Sequence, residues 1–405
     1  MVHLFGKTGK PSRRDVLTGT AAGAAAWTLG MGAPAVLAQS TKPLRLGVLN
    51  TFTGVLAQST ESNMRGMNLY FDSINWSVAG RKIELIKEDD QFNPQVGLQK
   101  ARKLVENDQV DLLLGPQGSG VTLAVFNYAK QSNTIMLTWA GADALTWERP
   151  RYLFRPTITT WQLSTPMGKW VHENVAKEVV LFASDYVAGH DVLRTFRLAF
   201  ERVGGKVVKE IYPPVGTADF SPYLTEARSL QAPGAYAFFV GADSIRFVQQ
   251  YAQVGLKAKT PLTGFTSLTD GTTLPSQGKA ALDIITAQTY VDTLDNPTNR
   301  KFVADYRAAY STWPDLYSDY GWVTARIVAD AVRATDGDTA NKDKLAEAIG
   351  KVAFEAPRGP FRFDPVTHTA IITVYVVKVV EIDGRFTHSV MVTMNDIVDP
   401  GSKQD

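Results

Sequence analysis

The sequence predicts an α/β protein of two doubly wound parallel-sheet lobes joined by a multi-strand hinge. Three observations lead there. From Leu44 the chain alternates strand and helix patterns, the signature of a parallel sheet covered by helices. The alternation restarts after Arg155-Pro156. It ends in helices without strands between them and a β-rich hairpin, so the chain crosses between lobes more than once.

Residues 44–50 are a strand, after which Met64, Met67, Phe71 and Ile74 recur at spacings of three and four, one face of a helix. Residues 81–90 alternate as a strand and 93–108 are amphipathic. The apolar run 110–114, closed by Gly115-Pro116, is expected of a parallel strand buried on both faces. A helix (121–132) and a strand (134–140) follow. The second series has strands at 178–184, 206–212, 235–241 and 261–265. Its helices are 187–203, stopped by Gly204-Gly205, then 223–231 and 245–254. Helices at 299–311, 320–335 and 342–352 must pack on an existing lobe. Two β runs, 373–380 and 385–392, flank Asp383-Gly384, a hairpin turn able to extend a sheet.

The 405 residues suffice for two or three domains, with 44% apolar and 20% charged residues as in ordinary globular chains. Net charge is +2, but the first 38 residues hold Lys7, Lys10, Arg13 and Arg14 against Asp15, a surplus of +3 that leaves −1 for the rest. A near-neutral body offers nucleic acid no electrostatic footing. The absence of cysteine excludes disulfides, thiolate nucleophiles and cysteine-ligated metals. Arg13-Arg14 before the uncharged, Ala- and Gly-rich stretch 16–38 reads as an export signal cut after Ala38 or Ala35. The arginine pair resembles a twin-arginine (Tat) signal, with Thr18 departing from its usual pattern. The protein is then expected in the periplasm.

Enzyme chemistry finds little support. Ser119 lies in Gln117-Gly118-Ser119-Gly120-Val121, which is no nucleophile elbow. The five histidines lack paired metal spacing, and no dinucleotide fingerprint follows a strand. Glu88-Asp89-Asp90 is either a cation site or, more blandly, a solvated strand end. No cofactor and no metal are expected.

Several short motifs occur in a telling order: residues 46–54, Asn93-Pro94-Gln95, Leu114-Gly115-Pro116 with Ser119, Phe154-Arg155, Asp185-Tyr186, residues 217–221 and Gly255-Leu256-Lys257. Together they resemble the leucine/isoleucine/valine-type solute-binding proteins of ABC importers, the branched type I periplasmic binding proteins. The resemblance covers essentially the whole chain after the signal. It implies a Venus flytrap that closes on one small molecule and docks, as a monomer, on a permease with ATPase subunits. Lobe one would be 41–157 plus 291–360, and lobe two 158–290 plus 361–405.

Candidate ligand-binding residues follow from strand ends, where parallel sheets place their sites. The loop into the 121–132 helix offers Ser119 and Gly120, with free N–H groups and a helix dipole for a carboxylate; Ser119 is otherwise a plain N-cap. Trp139, Ala140, Gly141 and Ala142 match a segment that contacts the ligand's polar head in the family; Trp139 is a wall or a core residue. Tyr186 matches an aromatic cover from lobe two. Gly241 and Asp243 end one lobe-two strand, and Phe265 and Thr266 end the next. Phe52, Thr53 and Gln58 lie in the first strand-to-helix loop, while Tyr317 and Tyr320 reach the cleft rim or pack as core. In the family's amino-acid binders the position of Thr266 holds the acid that pairs the ammonium. Asp243 substitutes for it or is a helix cap. The expected ligand is therefore a small carboxylate with an aromatic or hydrophobic body. A true branched-chain amino acid binder and a protein presenting its ligand to a sensory receptor are the alternatives.

Overall fold

The structure is a computed structural model that describes residues 42–148 and 150–404. The export signal expected over residues 1–38 lies outside them. Among the described residues no helix is long and apolar enough to cross a membrane.

Two sheets organise the chain. The first contains β1 (Leu44–Asn50), β2 (Ser77–Val78), β3 (Arg81–Asp89), β4 (Leu112–Leu114), β5 (Met136–Leu137) and β6 (Leu153–Phe154), in the order β2-β3-β1-β4-β5-β6. All its pairs are parallel except the β2–β3 ribbon. Its helices are α1 (Ala57–Ser73), α2 (Pro94–Arg102), α3 (Ser119–Gln131) and α4 (Ala144–Trp147). Every residue of β4 is buried, as its leucines demand of a strand covered on both faces.

The second sheet receives α5 (Thr160–Asn174), β7 (Glu178–Ala183), α6 (Val187–Arg202), β8 (Lys206–Ile211), α7 (Ser221–Leu230), β9 (Gly234–Phe238), α8 (Gly241–Gln253), β10 (Leu262–Gly264), α9 (Leu274–Gln277) and β11 (Ile285–Gln288). The chain then returns to the first lobe with α10 (Pro297–Tyr310), α11 (Leu316–Ala334) and α12 (Lys342–Gly350). There α11 crosses α1 in backbone contact: a Cβ on Gly66 would lie 1.8 Å from the Ser318 carbonyl oxygen, and one on Gly321 1.9 Å from that of Asn63. The ribbon β12 (Ala353–Ala356) and β13 (Gly359–Arg362) leads to β14 (Ile372–Ile382) and β15 (Arg385–Ile397), which extend the second sheet antiparallel in the order β15-β14-β11-β10-β9-β7-β8. Asp383 and Gly384 both adopt positive φ, 51° and 74°, as a type I′ hairpin turn requires.

Three segments therefore cross between the sheets, following β6, β11 and β13. The first and third are tied side by side: the Arg155 N–H donates to the His368 carbonyl at 2.9 Å, and the Ala370 N–H to the Arg155 carbonyl at 2.8 Å.

Some elements depart from expectation. Helix α5 lies where the sequence reading placed nothing, because Pro166 interrupts its interior. Its start is nevertheless written in Thr159-x-x-Gln162, a capping box with both reciprocal bonds present. Helix α11 begins four residues early because Asp315 and Ser318 form a second capping box.

Candidate functional site

In doubly wound sheets a crevice opens where strand order reverses, beyond the carboxyl ends of the strands. The order reverses between β1 and β4 in the first sheet and between β7 and β9 in the second. Residues from all four strand ends line one cavity of about 80 Å³. Leu56 follows β1, and Gln117, Gly118 and Ser119 follow β4; Tyr186 and Ala188 follow β7, and Phe238 and Val240 close β9. Phe92, Trp139 and Gly141 complete the first lobe's share, with Ile158 and Thr160 from the first crossing. Phe265, Thr266 and Ser267 come from the end of β10, and Leu316, Tyr317 and Tyr320 from α11. Water in the liquid takes about 30 Å³ per molecule, so the cavity in this state is on the scale of a small molecule.

The aromatic wall spans both lobes. Phe92 meets Tyr186 edge-on with centroids 5.6 Å apart, Tyr186 stacks on Phe238 at 6.0 Å, and Phe238 meets Phe265 edge-on at 5.2 Å. Burial, reinforced by the nearby Asp243 charge, pushes the Tyr186 phenol above its usual range, so it remains a hydroxyl. Trp139 is at once wall and core: 3% exposed, it donates from Nε1 to Thr324 Oγ1 on α11 at 2.9 Å.

Phe92 reaches the wall through an unusual turn. Gln91 and Phe92 both adopt left-handed backbone, φ 53° and 56°, which costs non-glycine residues energy. Asp89 and Asp90 hold them there, accepting from the Gln91 N–H at 3.0 Å and the Phe92 N–H at 2.8 Å. Asp90 also accepts from Thr51 Oγ1, and Glu88 pairs with Lys100 and Lys103. The acidic triplet is thus divided among turn-holding and ion-pairing tasks. Among the described residues no group of three acids and histidines is placed to hold a metal.

Six helices, α1, α3, α5, α6, α8 and α11, begin at residues on the cavity wall, with different chemistry. The starts of α5 and α11 are closed by their own capping boxes. The α3 start has Gly118 at its cap, the α6 start has Tyr186, and neither has a side-chain cap. The α1 and α8 starts also lack a side-chain cap, but there the Ala57 N–H donates to the Gly54 carbonyl and the Asp243 N–H to the Val240 carbonyl. The starts of α3 and α6, one in each lobe, keep their first N–H groups and the positive end of the dipole for a ligand. Ser119 is the first helical residue and caps nothing.

No Asp, Glu, Lys, Arg or His is among the described residues lining the cavity. Behind the wall, the Arg358 guanidinium lies 4.8 Å from the Tyr320 ring and pairs with the fully buried Asp319, whose carboxyl burial pushes up to about 6. Asp270 is also buried off the wall, and burial raises its carboxyl to about 7 despite hydrogen bonds from Thr272.

Of the candidates named from sequence, the cavity brings together Ser119, Trp139, Gly141, Tyr186, Phe265 and Thr266, with Tyr317 and Tyr320. The others lie off its wall. Gly120 faces Pro94, a Cβ there lying 3.8 Å from its Cγ. The Ala140 N–H donates to Thr138 Oγ1, and the Ala142 carbonyl accepts from Arg155. The Phe52 N–H and Thr53 Oγ1 both donate to Asp89, and Gln58 is exposed on α1. Asp243 is neither a helix cap nor free: Val240 is the cap of α8, and the Asp243 carboxylate accepts from the Gly216 N–H at 2.8 Å and pairs with Arg246. Gly241 (φ +50°) is where the lobes touch, a Cβ there lying 2.0 Å from the Val55 carbonyl oxygen. Thr266 donates to Gln288 Oε1, and Gln288 Nε2 donates back to the Thr266 carbonyl at 2.8 Å, so this position carries no acid and its hydroxyl is already engaged.

Phe92 and Thr160 are wall residues that sequence reasoning missed. The capping box would have found Thr160, and the Asp89-Asp90 pair ahead of Asn93-Pro94 hints at a tight turn before α2. Ser267 belongs to the strand-end segment Gly264-Phe265-Thr266-Ser267 that the sequence directs to the cleft.

Comparisons with known proteins converge on one kind. The family model described as "periplasmic binding protein" matches residues 43–385. The Leu/Ile/Val-binding protein homolog 6 of Brucella melitensis is 30% identical over 368 residues, 89% of this chain and 94% of that one. An ABC transporter substrate-binding protein from Sphaerobacter thermophilus superposes with a TM-score of 0.83 at 34% identity, covering 89% of this chain and 100% of its own. A solute-binding protein of an ABC transporter from Rhodopseudomonas palustris BisB5, in complex with 3,4-dihydroxybenzoic acid, gives a TM-score of 0.84 at 30% identity, covering 89% and 99%.

Proposed function

The chain belongs to the periplasmic binding protein family, and on that premise we propose that it captures a small carboxylate with an aromatic or hydrophobic body. It is an ABC transporter substrate-binding protein and not an enzyme. Such proteins bind a small molecule and work with permease and ATPase subunits. In this reading the signal is cut after Ala38 or Ala35 and the protein acts in the periplasm as a monomer. Its lobes are 41–157 with 291–360 and 158–290 with 361–405.

The observation that carries the ligand class is the composition of the wall. Enclosing an α-ammonium with no acid beside it costs several kcal/mol, and Thr266 and the occupied Asp243 leave none to pair it. A carboxylate, by contrast, finds the free N–H groups at the starts of α3 and α6, one from each lobe. Ligand bridging those starts binds the closed form better than the open one, which is what drives closure. The aromatic series Phe92, Tyr186, Phe238 and Phe265 suits a flat ring. The dihydroxybenzoic acid held by the Rhodopseudomonas relative is of this class.

The name of the Brucella relative favours a second reading, a branched-chain amino acid ligand. A thermal-shift screen of benzoate-like and phenylpropenoid acids against leucine, isoleucine and valine separates the two. A ligand at a hundred times its Kd stabilises the fold by about 2.7 kcal/mol, enough to move the midpoint clearly. Shifts with the aromatic acids alone support the proposal; a shift with leucine and none with the aromatic acids overturns it.

A further inference from the structure

Two buried hydroxyls on the cavity wall, Thr160 Oγ1 and Ser267 Oγ, have no hydrogen-bond partner, and that of Thr160 lies beside the Asp143 carboxyl. Around the end of β10 the other hydroxyls are committed within the protein. Thr263 Oγ1 donates to the Ala235 carbonyl at 2.8 Å, Thr266 to Gln288, and Ser244 to the Leu268 carbonyl at 2.9 Å; Thr269 lies 3.1 Å from the Thr286 hydroxyl. Ser267, only 3% exposed and lining the cavity, has no partner for its Oγ. A buried hydroxyl without a partner is an expensive thing for a fold to retain, and folded proteins pair nearly all such groups.

We propose that Ser267 reads a second polar group on the ligand, a hydroxyl carried on its ring or chain, while the carboxylate goes to the helix starts. This rests on the carboxylate reading above and narrows it to hydroxylated acids. The assignment follows from what each partner offers. The starts of α3 and α6 present donors only, which suits an anion. A serine hydroxyl both donates and accepts, which suits another hydroxyl. A ligand lacking that group would leave Ser267 unpaired in the closed cleft, and such mismatches weaken binding by about five- to a hundredfold.

Isothermal titration of the purified protein with benzoate, 3-hydroxybenzoate, 4-hydroxybenzoate and 3,4-dihydroxybenzoate tests this, with Ser267→Ala alongside. At least one hydroxylated acid is expected to bind the wild type ten times or more tighter than benzoate. In Ser267→Ala that preference should fall to about twofold through weaker binding of the hydroxylated acid, with the ligand-free melting temperature equal or higher. Equal binding of all four acids overturns the proposal, as does a preference that survives in Ser267→Ala. Uniform weakening of all four acids in Ser267→Ala also overturns it, since Ser267 would then be meeting the carboxylate. If none of the four binds, the carboxylate reading fails and this inference falls with it.

Discussion

Replacing Gly241 by alanine is expected to hold the lobes apart. The added methyl would sit 2.0 Å from the Val55 carbonyl oxygen, and that oxygen belongs to backbone that no side-chain rotation can clear. Ordinary C···O approach is about 3.3 Å, so the lobes must part by about 1.3 Å at this point. Val240 and Leu56, the neighbours of the two contacting residues, line the cavity, so the gap opens beside the ligand. A hydrogen bond of about 2.9 Å from one lobe becomes about 4 Å and is lost. Losing two such bonds costs about 2 kcal/mol, roughly thirtyfold in Kd. Alanine at φ +50° adds backbone strain unrelated to closure, so Gly216→Ala is the control: it has φ +83° and nothing within 4 Å of its Cβ. Calorimetry with an acid found by the thermal-shift screen gives the affinity, and small-angle scattering gives the compaction on binding. If Gly241→Ala binds within threefold of wild type and compacts as fully, the contact does not limit closure and the reasoning is wrong.

Thr266→Asp adds a carboxylate to a cavity wall on which no acid is described; aromatic acids should bind at least tenfold more weakly by calorimetry, and unchanged affinity would mean that the ligand anion is held out of reach of this strand end. Asp270 makes stability depend on pH. Burial raises its carboxyl to about 7, so the native state keeps a proton that the unfolded chain releases near pH 4, and stability falls as pH rises through that window. Asp270→Asn holds the group neutral and keeps an acceptor for Thr272, so its melting temperature should gain on wild type from pH 4 to pH 8, by the equivalent of about 4 kcal/mol. A difference that does not change with pH removes Asp270 from the account.

Strand ends were legible from the sequence because a short apolar run followed by glycine or a hydroxyl residue has few other meanings. That is why Ser119, Trp139, Gly141, Tyr186, Phe265 and Thr266 fall on the cavity wall. The hairpin was legible for a similar reason, since Asp383-Gly384 accepts the positive φ its turn needs. What escaped depends on contacts distant along the chain or on backbone that local pattern does not announce. Phe92 reaches the cleft only because two neighbouring carboxylates stabilise a left-handed turn. Asp243 looked available because its partners, Arg246 one helical turn on and Gly216 from another loop, are invisible to a strand-end argument. Gly241 looked like a place for ligand because its value, a close approach, is the same whether the neighbour is a small molecule or another lobe.

The crossing of α1 and α11 at Gly66 and Gly321 has a consequence for the order in which the chain becomes a protein. The apolar face of α1, with Met64, Met67 and Phe71 buried in the finished core, is synthesised long before the helix that covers it. At about 5–20 residues per second, the interval between the two glycines takes roughly 13–50 s to emerge. During that interval β7 to β11 of the second sheet emerge, still without β14 and β15, while the first lobe remains unfinished and sticky. The nascent chain therefore passes through a half-built stage that favours capture by a holding chaperone, and residues 41–157 expressed alone are expected to aggregate.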